Sequence, residues 1–212
     1  MKTIVFLVIA TFSLQFKGFS QSEKFPQKMK QTLTMMDSAK STADLLEVSA
    51  QFERIGDVEK TQWLPYYYAA LCLINSGWMD ANADKDQIAE KTKPIIAKAE
   101  AIEKNAELYV LDYMVATQQM LVDPRSRWMT YSSIMDQALT NAKSSDPANP
   151  RIYYLEGNGV FGKPEAFGGG KQKAKVLLQK SVDLFKTFTP ASPFHPTWGK
   201  REAEGMLAKC SS

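Results

Sequence analysis

Few residues in this chain have a type and spacing that could do chemistry. The first candidate is a glycine run, Gly168, Gly169 and Gly170, followed by Lys171 and a long amphipathic segment. A phosphate-gripping loop needs G-x-x-x-x-G-K-[ST] after a strand, so that backbone amides ring the phosphate and a hydroxyl reaches magnesium. Here Glu165 stands at the first glycine position, Gln172 follows the lysine, and the preceding segment has helical period. The run therefore reads as a turn between helices, with Pro164 fixing its entry and the glycines permitting positive φ. Free amides at the start of the next helix, beside Lys171 and Lys173, could at most hold an anion weakly.

His195 is the only histidine, in "SPFHPTWG". One histidine cannot build a multi-histidine metal site, and no acid or thiol accompanies it in sequence. A structural or exposed role is expected. The stretch "DANADKD" at 80–86 resembles a calcium loop only superficially, because the sixth-position glycine and the closing glutamate are missing. No catalytic set, metal site or cofactor is predicted. The expected class is a non-catalytic binding protein.

The tyrosines are more informative. "PYYYAALCL", "ELYVLDYMV" and "RIYYLEGNG" place Tyr67, Tyr109 and Tyr153 in register, at intervals of about 42–44 residues, each near a helix start. Tyr113 follows one turn after Tyr109. A tyrosine contributes large contact area with a polar tip, so such a set can either line a groove or pack between helices.

The elements that would carry these residues are helical almost throughout. Residues 171–188 put Ala174, Leu177, Leu178, Ser181, Phe185 and Phe188 on one stripe, and residues 85–104 do the same with Ile88, Thr92, Ile95, Ile96, Ala99 and Ile102. No segment alternates apolar and polar residues as a strand would. Ser41 with Asp44 fits a capping box, Gly56 and Gly77 read as helix stops, and "DPRS" and "DPANP" as breaks. The punctuation predicts about eight or nine helices, at about 26–39, 42–55, 60–76, 85–104, 106–121, 127–145, 150–161, 171–188 and 196–210. Pro65 is expected in an early turn, and Pro94 at a kink or late start.

Ahead of them, "MKTIVFLVIATFSLQFKGFS" has an early lysine, a short apolar run and small residues Gly18 and Ser20 before a polar stretch. That is the pattern of a cleaved export signal over residues 1–20, too short to span a bilayer. A retained anchor is the alternative. A single domain over 21–212 and a periplasmic or secreted location follow, with no stable membrane insertion after cleavage. Without the signal, 24 cations face 23 anions, leaving no concentrated basic face for nucleic acid.

The junction "ALTNAKSSDPANPRIYYLEGN" resembles that of the tetratricopeptide repeat family, with a weaker copy in "KAEAIEKNAELYVL". The family's second helix carries a small, a large and a small residue at spacings of four and three. Ala174, Leu178 and Ser181 match it, as do Thr92, Ile96 and Ala99; Met135, Leu139 and Ala142 match apart from the large first member. The likeness covers residues 60–212, although the period here exceeds the family's ~34 residues. Tyr113 also stands where the family prefers a small side chain.

The resemblance implies an all-α superhelix of paired helices whose first helices line a concave face, with Tyr67, Tyr109, Tyr113 and Tyr153 as candidate binding residues. It also implies a scaffold whose partner is another protein or peptide, and the signal pattern makes it an exported one. "PEAFGGGKQKAKVLLQKSVDLF" resembles the helical-repeat accessory subunits of some bacterial solute transporters, which gives the alternative of a solute-binding role in an enclosed aromatic pocket. In a solenoid Cys72 and Cys210 fall too far apart for a disulfide, with Cys72 buried and Cys210 free to be exposed.

Overall fold

A computed structural model describes residues 24–211. The segment 1–20, expected to be an export signal, lies outside them. Among the described residues there are nine α-helices and no strand. They are α1 (Phe25–Ser38), α2 (Thr42–Glu59), α3 (Leu64–Met79), α4 (Lys85–Glu100), α5 (Ala106–Val122), α6 (Pro124–Ser145), α7 (Pro150–Gly162), α8 (Lys171–Thr187) and α9 (Lys200–Lys209). The architecture is an all-α superhelix. Helices α2/α3, α5/α6 and α7/α8 pack as hairpins, while α3, α5 and α7 form a central row.

Local chemistry sets the boundaries. The Ser41 hydroxyl accepts from the Asp44 amide at 3.1 Å and the Asp44 carboxylate accepts from the Ser41 amide at 3.0 Å, a reciprocal cap that starts α2. Asp84, Asn105, Asp123 and Asn149 cap α4, α5, α6 and α7 one way, each side-chain oxygen accepting from a first-turn amide. Pro65, Pro124 and Pro150 occupy first turns, where a missing N–H costs nothing. Pro94 lies inside α4, which continues through it.

Two expected helix stops are corrected. Gly56 lies within α2, where a Cβ would come 2.7 Å from carbons of the Tyr66 ring, and Gly77 lies within α3, where a Cβ would come 2.8 Å from the Gln118 amide nitrogen. Both glycines admit a bulky neighbour rather than end a helix. Helix α2 runs on to Glu59 and stops at Lys60, a non-glycine residue at φ 53°. The last helix begins at Lys200 instead of near 196, after Gly199 turns the chain at φ 105°.

The small–large–small positions drive the pairing. Thr92, Ile96, Ala99, Met135, Leu139, Ala142, Ala174, Leu178 and Ser181 are all buried. Gly157 of α7 lets α8 approach so closely that a Cβ there would sit 2.8 Å from Leu178 Cγ. The oversized Tyr113 is accommodated rather than excluded: its hydroxyl donates to the Leu155 carbonyl at 3.2 Å and fills the space above Gly159.

Between α8 and α9 the chain leaves helical order. Residues 188–199, with prolines at 190, 193 and 196, run back across the starts of α3 and α7 as far as α1. Phe194 meets Phe25 edge-on at 5.9 Å, and its carbonyl accepts from the Tyr68 hydroxyl at 2.9 Å. Cys72 is buried in the main core, and its thiol is pushed up to about 12 by that burial. Cys210 is also buried, against Ala174 and Leu178, which corrects the expected exposure. The α8–α9 contact covers it.

Candidate functional site

The first turns of α3, α5 and α7 meet at one end of the row, around a cleft of about 230 Å³ whose walls include Trp63, Asn105, Asn149, Phe188 and His195. Beneath it lies a buried polar network. Arg151 and Glu107 are almost fully enclosed, and Arg151 Nη1 donates to Glu107 Oε1 at 2.9 Å. The Asn149 amide donates to the same oxygen at 2.7 Å while its Oδ1 accepts from the Arg151 backbone, so one capping residue also fixes the ion pair. Arg151 Nη2 donates to the Pro196 carbonyl, and its guanidinium lies over the rings of Phe188 at 4.8 Å and Trp198 at 5.4 Å. The Trp198 indole donates to the Tyr67 hydroxyl at 2.7 Å, and that hydroxyl is 3.4 Å from Glu107 Oε2.

These contacts are a clasp. Burial pushes the Glu107 carboxyl up, against the pull of Arg151 and of the Asn149 and Tyr67 donors. Burial also raises Tyr67, with Glu107 adding to it. His195 sits half-buried, edge-on to Trp63 at 5.5 Å, and its imidazole is held below its ordinary value by desolvation and by Arg151. A neutral ring against an indole is a packing element, in keeping with the structural role expected for it.

The opposite end of the row is finished differently. Of eleven large apolar side chains exposed among the described residues, six lie at the last turns of α3 and α5 and the start of α6: Trp78, Met79, Leu121, Val122, Trp128 and Met129. These helix ends are stitched side by side. Gly77 abuts the Gln118 side chain, and Arg127 donates to both Asp86 oxygens at 2.7 Å and to the Gln119 carbonyl at 3.0 Å. The Arg127 guanidinium holds the Asp86 carboxyl below the usual range. Lys163, just past α7, places its ammonium 4.9 Å from the Trp128 ring centre, and Arg125 is exposed one turn before Met129. Water-facing tryptophan and methionine, with cations alongside, form an exposed apolar rim of the kind that often marks an interaction surface.

The sequence-predicted tyrosines fall elsewhere. Tyr67, Tyr109 and Tyr153 occupy the fourth position of α3, α5 and α7, so the register is real. Tyr67, Tyr113 and Tyr153 are buried, and Tyr109 is half-buried against the core. Tyr153 donates to the Pro147 carbonyl at 2.9 Å under the Lys180 ammonium. The structure gathers them into helix packing beneath the surface. The acids of "DANADKD" have local work: Asp80 accepts from the Asn82 amide, Asp84 caps α4 and Asp86 holds Arg127. No cluster of three potential metal ligands occurs among the described residues, and none of their helices is long and apolar enough to cross a membrane. Sequence reasoning missed Trp78, Trp128 and Met129, which look like ordinary helix residues until the helix ends are placed.

No family model matches the chain, and no curated protein matches it. Among solved structures it is similar to the HusA haemophore from Porphyromonas gingivalis. The two superpose with a TM-score of 0.81 and share 31% identity, over 90% of this chain and 94% of that one. An identity of that size across nearly the whole length of both chains shows common descent as well as common fold: the protein belongs to the family of the HusA haemophore.

Proposed function

We propose that the protein is an exported, non-catalytic carrier that binds haem or a closely related tetrapyrrole on the aromatic rim at the ends of α3 and α5. The observation that carries this reading is the placement of Trp78, Trp128 and Met129 in water on a chain that shares its fold and 31% of its residues with a haemophore. A tetrapyrrole offers a broad apolar face and two carboxylates. Indole and thioether surfaces match the face, and Lys163 with Arg125 suits the carboxylates.

The rim fits such a guest better than the clasped end does. There the cleft is small, and the carboxylates of Glu103 and Asp146 that line it oppose an anionic ligand. An export signal over 1–20, a single domain over 21–212 and a tetratricopeptide-like origin for the paired helices complete the reading. The last is supported by the nine buried small–large–small positions.

Titrating haem into the mature protein should change the haem absorbance and quench tryptophan fluorescence with saturation. Trp78→Ala and Trp128→Ala should each weaken binding about tenfold or more. Absence of saturable binding, or full affinity in the double variant, overturns the proposal and returns the rim to docking a protein or peptide.

A further inference from the structure

Charge is unevenly distributed along the superhelix. Residues 41–112 carry seven cations against thirteen anions, whereas residues 163–212 carry nine cations against four anions. The near-neutral whole therefore hides an acidic α2–α5 half and a basic α8–α9 end.

Two features of the basic end are not required by the fold. Phe167 is 71% exposed at the tip of the α7–α8 turn, and Val176 is 71% exposed on the outer face of α8. The turn is rigid. Gly169 and Gly170 donate to the carbonyls of Pro164 and Val160 at 3.1 and 2.9 Å, Lys173 caps the Gly168 carbonyl at 3.2 Å, and a Cβ on Gly169 would strike the Lys163 backbone. Phe167 is thus presented by a fixed loop, and Lys171, Lys173 and Lys175 stand exposed beside it on α8. Glu165 is the one acid on the turn itself. A phenylalanine and an aliphatic side chain held out among lysines are suited to the boundary between lipid headgroups and acyl chains, where cations meet phosphate and apolar groups enter a few ångströms.

We propose that the α7–α8 turn and the outer face of α8 dock the protein on an anionic lipid surface, with Phe167 and Val176 entering it and Lys171, Lys173 and Lys175 on the headgroups. The acidic half is then turned away from that surface, so the asymmetry orients the molecule. This does not depend on the tetrapyrrole reading, because none of these side chains belongs to the rim.

Flotation of the mature protein with phosphatidylcholine vesicles, with and without phosphatidylglycerol, tests it. Binding should require phosphatidylglycerol, fall in high salt, and drop by roughly fivefold for each lysine reversed in the series Lys171→Glu, Lys173→Glu and Lys175→Glu. Phe167→Ala should weaken binding without changing its salt dependence. Helicity and haem titration of each variant should match the parent, which separates lost docking from lost folding. No binding, equal binding to neutral vesicles, or indifference to the charge reversals overturns the proposal. Binding to polyglutamate but not to anionic vesicles also overturns it, and assigns the face to an acidic protein.

Discussion

Where α3, α5 and α7 begin, a twelve-residue strap, a buried Arg151–Glu107 pair and three aromatic rings close the superhelix; where α3 and α5 finish, two tryptophans and two methionines face water. The same repeated helices supply both ends. What separates them is the segment after α8, which covers one end and leaves the other. Polar groups are therefore not by themselves a sign of function here: the most heavily bonded side chains hold the fold, and the least bonded ones are free to hold something else.

This contrast is tested most severely at the closed end. Glu107→Ala leaves Arg151 buried beside a lost partner and should cost about 3–5 kcal/mol in denaturant unfolding, whereas replacing both by apolar residues of similar size should recover much of it. A small loss in Glu107→Ala would show that the clasp does not hold the end closed. Trp128→Ala, by contrast, should lower haem affinity about tenfold while changing stability by only about 0.5–1 kcal/mol.

A carboxyl between the two ends gives a pH handle. Asp112 on α5 is pushed up to about 7, chiefly by burial and then by Glu100, with Lys93 opposing. The folded protein holds this proton more tightly than the unfolded chain, whose value is near 3.8. Its contribution to stability is full below that value and is lost as the pH rises through about 7, at ~1.4 kcal/mol for each pH unit crossed. Asp112→Asn should therefore flatten the decline between about pH 4 and 7 and raise the melting temperature at neutral pH. An unchanged profile would remove Asp112 as its source. The mildest change belongs to His195: His195→Ala should leave haem affinity within about twofold, since its ring belongs to the strap. A large loss there would move the binding site to the closed end.

The helices were legible in the sequence because their apolar stripes and caps are local. Ser41 with Asp44, the early-turn Pro65 and the stripe through Ala174, Leu178 and Ser181 need no distant partner to be read. Gly56 and Gly77 were misread because a glycine that ends a helix and one that admits a Tyr66 or Gln118 side chain look alike in sequence. The strap was invisible for a stronger reason. It has no period, and its contacts with Tyr67, Tyr68 and Phe25 span well over a hundred residues. The three tyrosines do share one register, but depth below the surface depends on what covers each helix: the strap over Tyr67, α7 over Tyr113, and lysines of α6 and α8 over Tyr153.

The strap also decides what kind of object this chain is. Stacked repeats ordinarily gain or lose units with little penalty, because each one speaks only to its neighbours. Here Phe194 reaches Phe25, so the first helix is buckled to the strap that precedes the last one. A tie of that kind adds contacts between distant parts of the chain to an otherwise local stack, and contacts of such long separation are the ones that slow folding.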